Sequence, residues 1–183
     1  MSNNKEISGK TNILKQVKEY GISILIALGL AFVLHSYVLA RASVDGPSMQ
    51  PTLHTNDVVF LDKLSVEIGN IKRGEIVVFD SKDENNDDYI KRVIGVAGDE
   101  VSIMNGKVYV NGKQLEENYL APGTITEPIT PRTTYKVPAG DVFVLGDNRT
   151  NSTDSRILGC INIKDIKGHA ILRAYPFNQI RTF

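Results

Sequence analysis

Apolar and polar positions fall into two regimes along this chain. From Tyr20 to Ala40 the run YGISILIALGLAFVLHSYVLA contains no Asp, Glu, Lys or Arg. A helix of that length rises about 31 Å, close to the thickness of the hydrocarbon layer of a bilayer. It is read as a single transmembrane helix over residues 20–40, in preference to a buried core helix. Tyr37 suits the interface at the far end, and His35 and Ser36 share that outer turn. Beyond Ala40 the texture changes. Short apolar stretches (DVVFLDKL, GEIVVFD, YIKRVIGVAGD, EVSIMNGKVYVNGKQL, AGDVFVLGDN) are bounded by Gly, Asp and Asn. Such runs, rich in Val, Ile, Phe and Tyr, predict strands and tight turns. Asn105-Gly106 and Asn111-Gly112 each predict a two-residue hairpin turn.

The fold class expected is therefore mainly β: an extracytoplasmic antiparallel sheet domain behind one N-terminal transmembrane helix. Residues 1–19 form a cytoplasmic tail, 20–40 the signal-anchor helix and 41–183 the catalytic domain. Within the last, about 103–140 is a hairpin and loop-rich excursion containing Pro122, Pro128 and Pro131. The acidic stretch 81–88 is read as a solvated turn. Counted from Asp83, a calcium loop would need Gly at position 88 and Glu at position 94, which hold Asp88 and Ile94.

Charge sets the orientation and removes some classes of function. Lys5, Lys10, Lys15 and Lys18 precede the apolar run, whereas only Arg41 occurs in the twenty residues after Ala40. The positive-inside rule places the N-terminus in the cytoplasm and residues 41–183 outside. Ala40-Arg41-Ala42 also fits the A-x-A pattern of a cleaved secretory signal, but the apolar run exceeds the usual length of such a signal. An uncleaved anchor is the expectation. Lys+Arg and Asp+Glu both number 21, so no basic excess points to a nucleic-acid partner. The one cysteine, Cys160, excludes an internal disulfide and a CxxC site. No H-E-x-x-H or Cys/His cluster calls for a metal, and no cofactor is expected.

Three segments carry candidate chemistry. In Asp45-Gly46-Pro47-Ser48-Met49-Gln50-Pro51, glycine and prolines shape the backbone around Ser48. A nucleophilic hydroxyl needs such presentation, with amides nearby to receive an oxyanion. In Tyr89-Ile90-Lys91-Arg92-Val93, a strand would send Lys91 and Arg92 to opposite faces. Local periodicity leaves open which of the two is inward. Only lysine could act as a base, because arginine stays protonated. The third segment, GDNRTNSTDSR over 146–156, is a loop after the apolar run VFVL. Its hydroxyls, amide and Asp/Arg pair suit a hydrogen-bonded support for a site. NRT and NST match glycosylation sequons, which are set aside because glycans there would obstruct that site.

SMQPTL, DYIKRVIGVAGD and GDNRTNSTDSR, in this order behind an N-terminal anchor, resemble the sequence boxes of bacterial type I signal peptidases, and GEIVVF at 74–79 resembles another. The likeness runs from the anchor to about Gly159. It implies a membrane-bound serine endopeptidase that removes signal peptides from preproteins, cleaving after small residues of A-x-A type. Ser48 would attack the scissile carbonyl and Lys91 would act as general base. Ser152 would orient the Lys91 ammonium, and Asp154 and Arg156 would pair to hold the site's shape. The Ser48 amide would be one oxyanion donor. Many relatives supply a second through a serine hydroxyl where this chain has Gly46. Val44 and Ile90 would line shallow pockets for small residues. The partners implied are preprotein signal peptides, the lipid bilayer and the neighbouring secretion machinery. Ala40-Arg41-Ala42-Ser43 itself resembles such a target, so self-cleavage after Ala42 is an open corollary.

Other chemistries fit less well. A Ser-His-Asp triad would need His35, His54 or His169, and no motif supports one. A self-cleaving repressor of Ser/Lys type lacks an anchor. An inactive tethered binding domain would have no use for the full set of side chains.

Overall fold

The computed structural model describes residues 16, 18–30, 39–85 and 87–183. The chain divides into two compact units, Met1–Val38 and Leu39–Phe183. In the first unit residues 18–30 are helical, and the apolar side chains of Ile24, Leu25 and Leu28 are exposed. Among the described residues no helix is both long and apolar enough to cross a membrane. Part of the expected anchor, residues 31–38, lies outside the described residues, as do nearly all of the expected tail. The last two residues of the expected span, Leu39 and Ala40, belong instead to the first strand. They pair with Asp62 and Leu61, and Ala40 packs against a buried cluster.

The second unit is built from strands β1 (Leu39–Ser43), β2 (Val58–Asp62), β3 (Ile76–Asp80), β4 (Asp88–Gly95), β5 (Glu100–Met104) and β6 (Lys107–Val110). These are followed by β7 (Lys113–Gln114), β8 (Thr134–Lys136), β9 (Asp141–Leu145), β10 (Ile161–Asn162), β11 (Ile166–Tyr175) and β12 (Arg181–Thr182). Two one-turn helices, α1 (Leu64–Glu67) and α2 (Ser155–Leu158), interrupt them. The larger sheet has the order β1-β2-β11-β3-β4-β9-β10, with β12 beside β11; the smaller has the order β7-β6-β5-β8. The pairings are antiparallel throughout, as the alternating runs and tight turns predict.

Both Asn-Gly turns form. Asn105 and Gly106 have φ of 51° and 74°, and Asn111 and Gly112 have φ of 53° and 77°. Positive φ at both central residues is what a type I′ hairpin requires. They set the register of β5, β6 and β7. No strand forms between Gln114 and Thr134, in keeping with the proline-bearing excursion. Between β3 and β4 carboxylates hold the chain locally: Lys82 N donates to Asp80 Oδ1 at the end of β3 and Asp87 N to Asp83 Oδ1, both at 2.9 Å.

The C-terminal segment is more than a tail. β11, ten residues long, lies between β2 and β3. The larger sheet is covered on both faces. Ile76 and Val78 of β3 join one buried cluster, while Val77 and Phe79 join another. In β9, Val142 and Val144 belong to the latter, and Phe143 and Leu145 to a third cluster shared with β5, β6 and β8. β4 therefore runs through the interior with no solvent face along most of its length.

Candidate active site

Ser48 stands in the turn that leaves β1. The loop is closed at its base by Val44 N donating to Asp57 O at 2.8 Å and Asn56 N to Val44 O at 2.9 Å. Within it, Gln50 N donates to Pro47 O at 3.1 Å and Leu53 N to Met49 O at 2.9 Å. Met49 and Leu53 are driven fully into the core, and Gly46 takes a left-handed φ of 88° that glycine adopts without strain. The apolar residues thus anchor the turn and leave Ser48 on a cavity of about 430 Å³.

Lys91 reaches the same cavity from β4. Its Nζ lies 3.0 Å from Ser48 Oγ and donates to Ile90 O at 2.9 Å. The residue is only 4% exposed. Burial lowers its pKa to about 8, against a smaller opposing pull from Asp154. Desolvation disfavours the charged ammonium, which is why burial acts in this direction. Arg92 is 8% exposed, so both cations are inward, one on each face of a strand covered on both sides. Periodicity alone leaves open which cation is inward; the double coverage buries both.

The 146–156 loop packs around this pair as a set of buried ions. Asp154 Oδ1 and Oδ2 accept from Arg156 Nε and Nη2 at 2.9 and 2.8 Å. Asp154 also accepts from Gly146 N at 3.0 Å and caps α2 through Arg156 N at 3.2 Å. Arg156 Nη2 donates onward to Arg149 O at 2.8 Å. The expected Asp154–Arg156 pair is thus present and satisfied. Ser152 lines the cavity with Ser48, Lys91, Val44 and Ile90, but its buried Oγ has no hydrogen-bond partner. The implied bond from Ser152 to Lys91 is not made. Ser152 sits tightly on Gly146, where an added Cβ would lie 2.2 Å from its Oγ.

Sequence reading missed the second layer. Arg92 Nε and Nη2 donate to Asp147 at 2.9 and 2.7 Å, and Thr52 Oγ1 donates to Asp147 at 2.5 Å. The Arg92 guanidinium also stacks on Tyr119 at 4.0 Å. Arg149 donates to Glu117 at 2.6 Å and to Thr126 Oγ1 at 2.6 Å. These bonds tie the 116–126 excursion to the loop carrying Ser152. Burial pushes the Tyr119 hydroxyl well above its usual range. GDNR contains two of these residues, but their partners lie tens of residues away and leave no local pattern. His54 and His169 do not line the Ser48 cavity, and His169 Nε2 lies 3.9 Å from Asp62. His35 lies outside the described residues.

An antiparallel β domain that buries an amine against a turn hydroxyl, beside an open cavity, has the equipment of a hydrolase with a serine nucleophile. The family model described as "Signal peptidase, peptidase S26" matches residues 17–175. The chain belongs to this family and is a serine endopeptidase. It is 39% identical over 182 residues to a signal peptidase I of Bacillus amyloliquefaciens, covering 94% of this chain and 95% of that protein. It is 39% identical over 178 residues to signal peptidase I S of Bacillus subtilis, covering 91% and 94%. Signal peptidase IB of Staphylococcus aureus is 35% identical over 181 residues, covering 91% and 94%. A crystal structure of a signal peptidase I from Enterococcus faecalis is 34% identical and superposes with a TM-score of 0.47, covering 54% of this chain and 95% of that one.

Proposed function

We propose that this chain is a membrane-anchored endopeptidase that removes N-terminal signal peptides from secreted preproteins by a Ser48/Lys91 mechanism. The observation that carries it is the 3.0 Å approach of Lys91 Nζ to Ser48 Oγ in a desolvated site where the lysine pKa falls to about 8. Neutral Lys91 has a lone pair to accept the hydroxyl proton while one N–H stays bonded to Ile90 O. Ser48 Oγ attacks the scissile carbonyl carbon, and its proton passes to Lys91. The oxyanion forms beside the Ser48 N–H, which donates to no protein acceptor among the described residues. As the C–N bond breaks, the Lys91 ammonium protonates the leaving amine. Water then attacks the ester on Ser48, again giving its proton to Lys91, and the proton returns to Ser48 Oγ as the peptide acid departs.

Cleavage after small residues is supported by the buried branched side chains of Val44 and Ile90 on the cavity wall, which leave room for alanine-sized groups. Asp154 and Arg156 hold the wall in place. Ser152, on the same cavity wall as Lys91 with its hydroxyl unpartnered, is assigned the role of orienting the ammonium. Gly46 has no hydroxyl to give, so a second oxyanion donor would be its own amide or water.

The anchor is supported by the charge-free run 20–40 and by the exposed apolar side chains of residues 18–30; an apolar helix surface of that kind needs lipid or protein to cover it. Residues 1–19 then face the cytoplasm, the catalytic domain faces outward, and enzyme and substrate meet at the bilayer near the secretion machinery.

The test is cleavage of a preprotein by the full chain in detergent micelles. Ser48→Ala and Lys91→Ala should each abolish processing with the fold retained. Processing by either variant would refute the role given to that residue.

A further inference from the structure

The first oxyanion donor in this scheme is the Ser48 N–H, so what fixes that N–H matters. The Pro47–Ser48 peptide carries the Pro47 carbonyl on one side and the Ser48 N–H on the other, as a planar trans unit. Pro47 O accepts two hydrogen bonds, from Gln50 N at 3.1 Å and from Asn148 Nδ2 at 3.2 Å. The next carbonyl, Ser48 O, accepts from Asn148 N at 2.9 Å. Asn148 therefore grips both peptide planes that flank the nucleophile, one with its side chain and one with its backbone. The amide orientation is set by chemistry, because a carbonyl can only accept and the group facing it must be the NH2. On the other side Asn148 Oδ1 accepts from Thr150 Oγ1 at 3.2 Å. Ser48 N–H itself has no partner among the described residues.

We propose that Asn148 is a positioning residue that aims the oxyanion-binding amide of Ser48, acting through the Pro47–Ser48 peptide, a role that rests on the Ser48/Lys91 chemistry above. Holding the carbonyl fixes the direction of the N–H across the plane. It also polarises the amide and strengthens its donor. Gly46 offers no side-chain donor to share the load. Losing an oxyanion donor outright costs ~100–1000-fold in kcat. Asn148 leaves the donor in place and frees its direction, so the loss should be smaller, about 10-fold. Its side-chain hydrogen bonds go to Pro47 O and Thr150 Oγ1, and not to Lys91 or the buried ion pairs.

The experiment compares Asn148→Ala and Asn148→Asp in the full chain in detergent micelles, using an internally quenched peptide with an Ala-x-Ala site. Both variants keep the backbone bond to Ser48 O. Aspartate, nearly the same shape, turns a donor into an acceptor facing a carbonyl. The expected result is a kcat about 10-fold lower in both, with KM within twofold and the acid limb of the pH–rate profile unmoved. A second readout is affinity for a peptide aldehyde, whose adduct with Ser48 places an oxyanion at this N–H. It should weaken about 10-fold while affinity for the matching product acid is unchanged. An unchanged kcat, or losses in kcat, KM and the acid limb together, overturns the role. Ser48→Ala and Lys91→Ala run alongside. If these lose activity while the Asn148 variants keep theirs, only the positioning role fails; if they retain activity, the dyad fails and the role goes with it.

Discussion

A lysine kept neutral by burial should destabilise the fold whenever it is protonated, and Lys91→Met measures that cost. Methionine keeps most of the unbranched stem and removes the amine. The fall in pKa from 10.5 to about 8 corresponds to about 3 kcal/mol of disfavoured charge. The sign follows from linkage. Between pH 8 and 10.5 the unfolded chain binds more protons at this site than the folded one, so wild-type stability rises with pH through that window. Below pH 8 the full penalty applies, and at pH 10 only about 1 kcal/mol of it remains. Packing differences between lysine and methionine do not titrate and offset the curve by a constant. Lys91→Met relative to wild type should therefore lose about 2–3 kcal/mol of its advantage between pH 6 and pH 10. Urea unfolding of both proteins in the same micelles, at matched ionic strength, reads this difference directly while other titrating groups cancel. A difference that is flat with pH, or that grows as pH rises, would refute the desolvation argument.

Two further substitutions test the support beneath the dyad. Asp154→Asn leaves the Arg156 guanidinium buried without its counter-ion and should cost about 3 kcal/mol in urea unfolding; a loss below about 1 kcal/mol would mean the pair behaves like a surface bridge. Gly146→Ala would place a Cβ 2.2 Å from Ser152 Oγ and 2.6 Å from the Ser48 carbonyl oxygen. The backbone carrying the nucleophile must then shift, and kcat should fall about 100-fold; wild-type turnover would show that the loop yields instead.

Much of the domain was legible because its signals are local. The two Asn-Gly steps lead to hairpins with positive φ at all four residues, and the apolar runs at 100–104, 107–110 and 141–145 lie where β5, β6 and β9 form. The Ser48 turn, the Lys91 strand and the Asp154–Arg156 loop were each visible as segments, and the fold brings Ser48, Lys91 and Ser152 to one cavity. What escaped notice was non-local. β11 reads weakly because Gly168, His169 and Arg173 interrupt its apolar pattern, yet Arg173 is buried through a bond to Asp57, 116 residues earlier. Periodicity leaves the facing of Arg92 open, because its partner Asp147, which accepts from its Nε and Nη2, lies 55 residues on. Ion pairs of that separation leave no periodicity to detect. Leu39 and Ala40 look like the end of an apolar helix by composition, but alternation with β2 claims them for the sheet.

The pH dependence of kcat/KM tests the central claim most directly, because it reports the essential groups of the free enzyme. With a quenched peptide that does not titrate in the range, the rate should rise with pH along a limb of apparent pKa near 8, set by Lys91. A limb near 10, the ordinary lysine range, would contradict a desolvated base at Ser48.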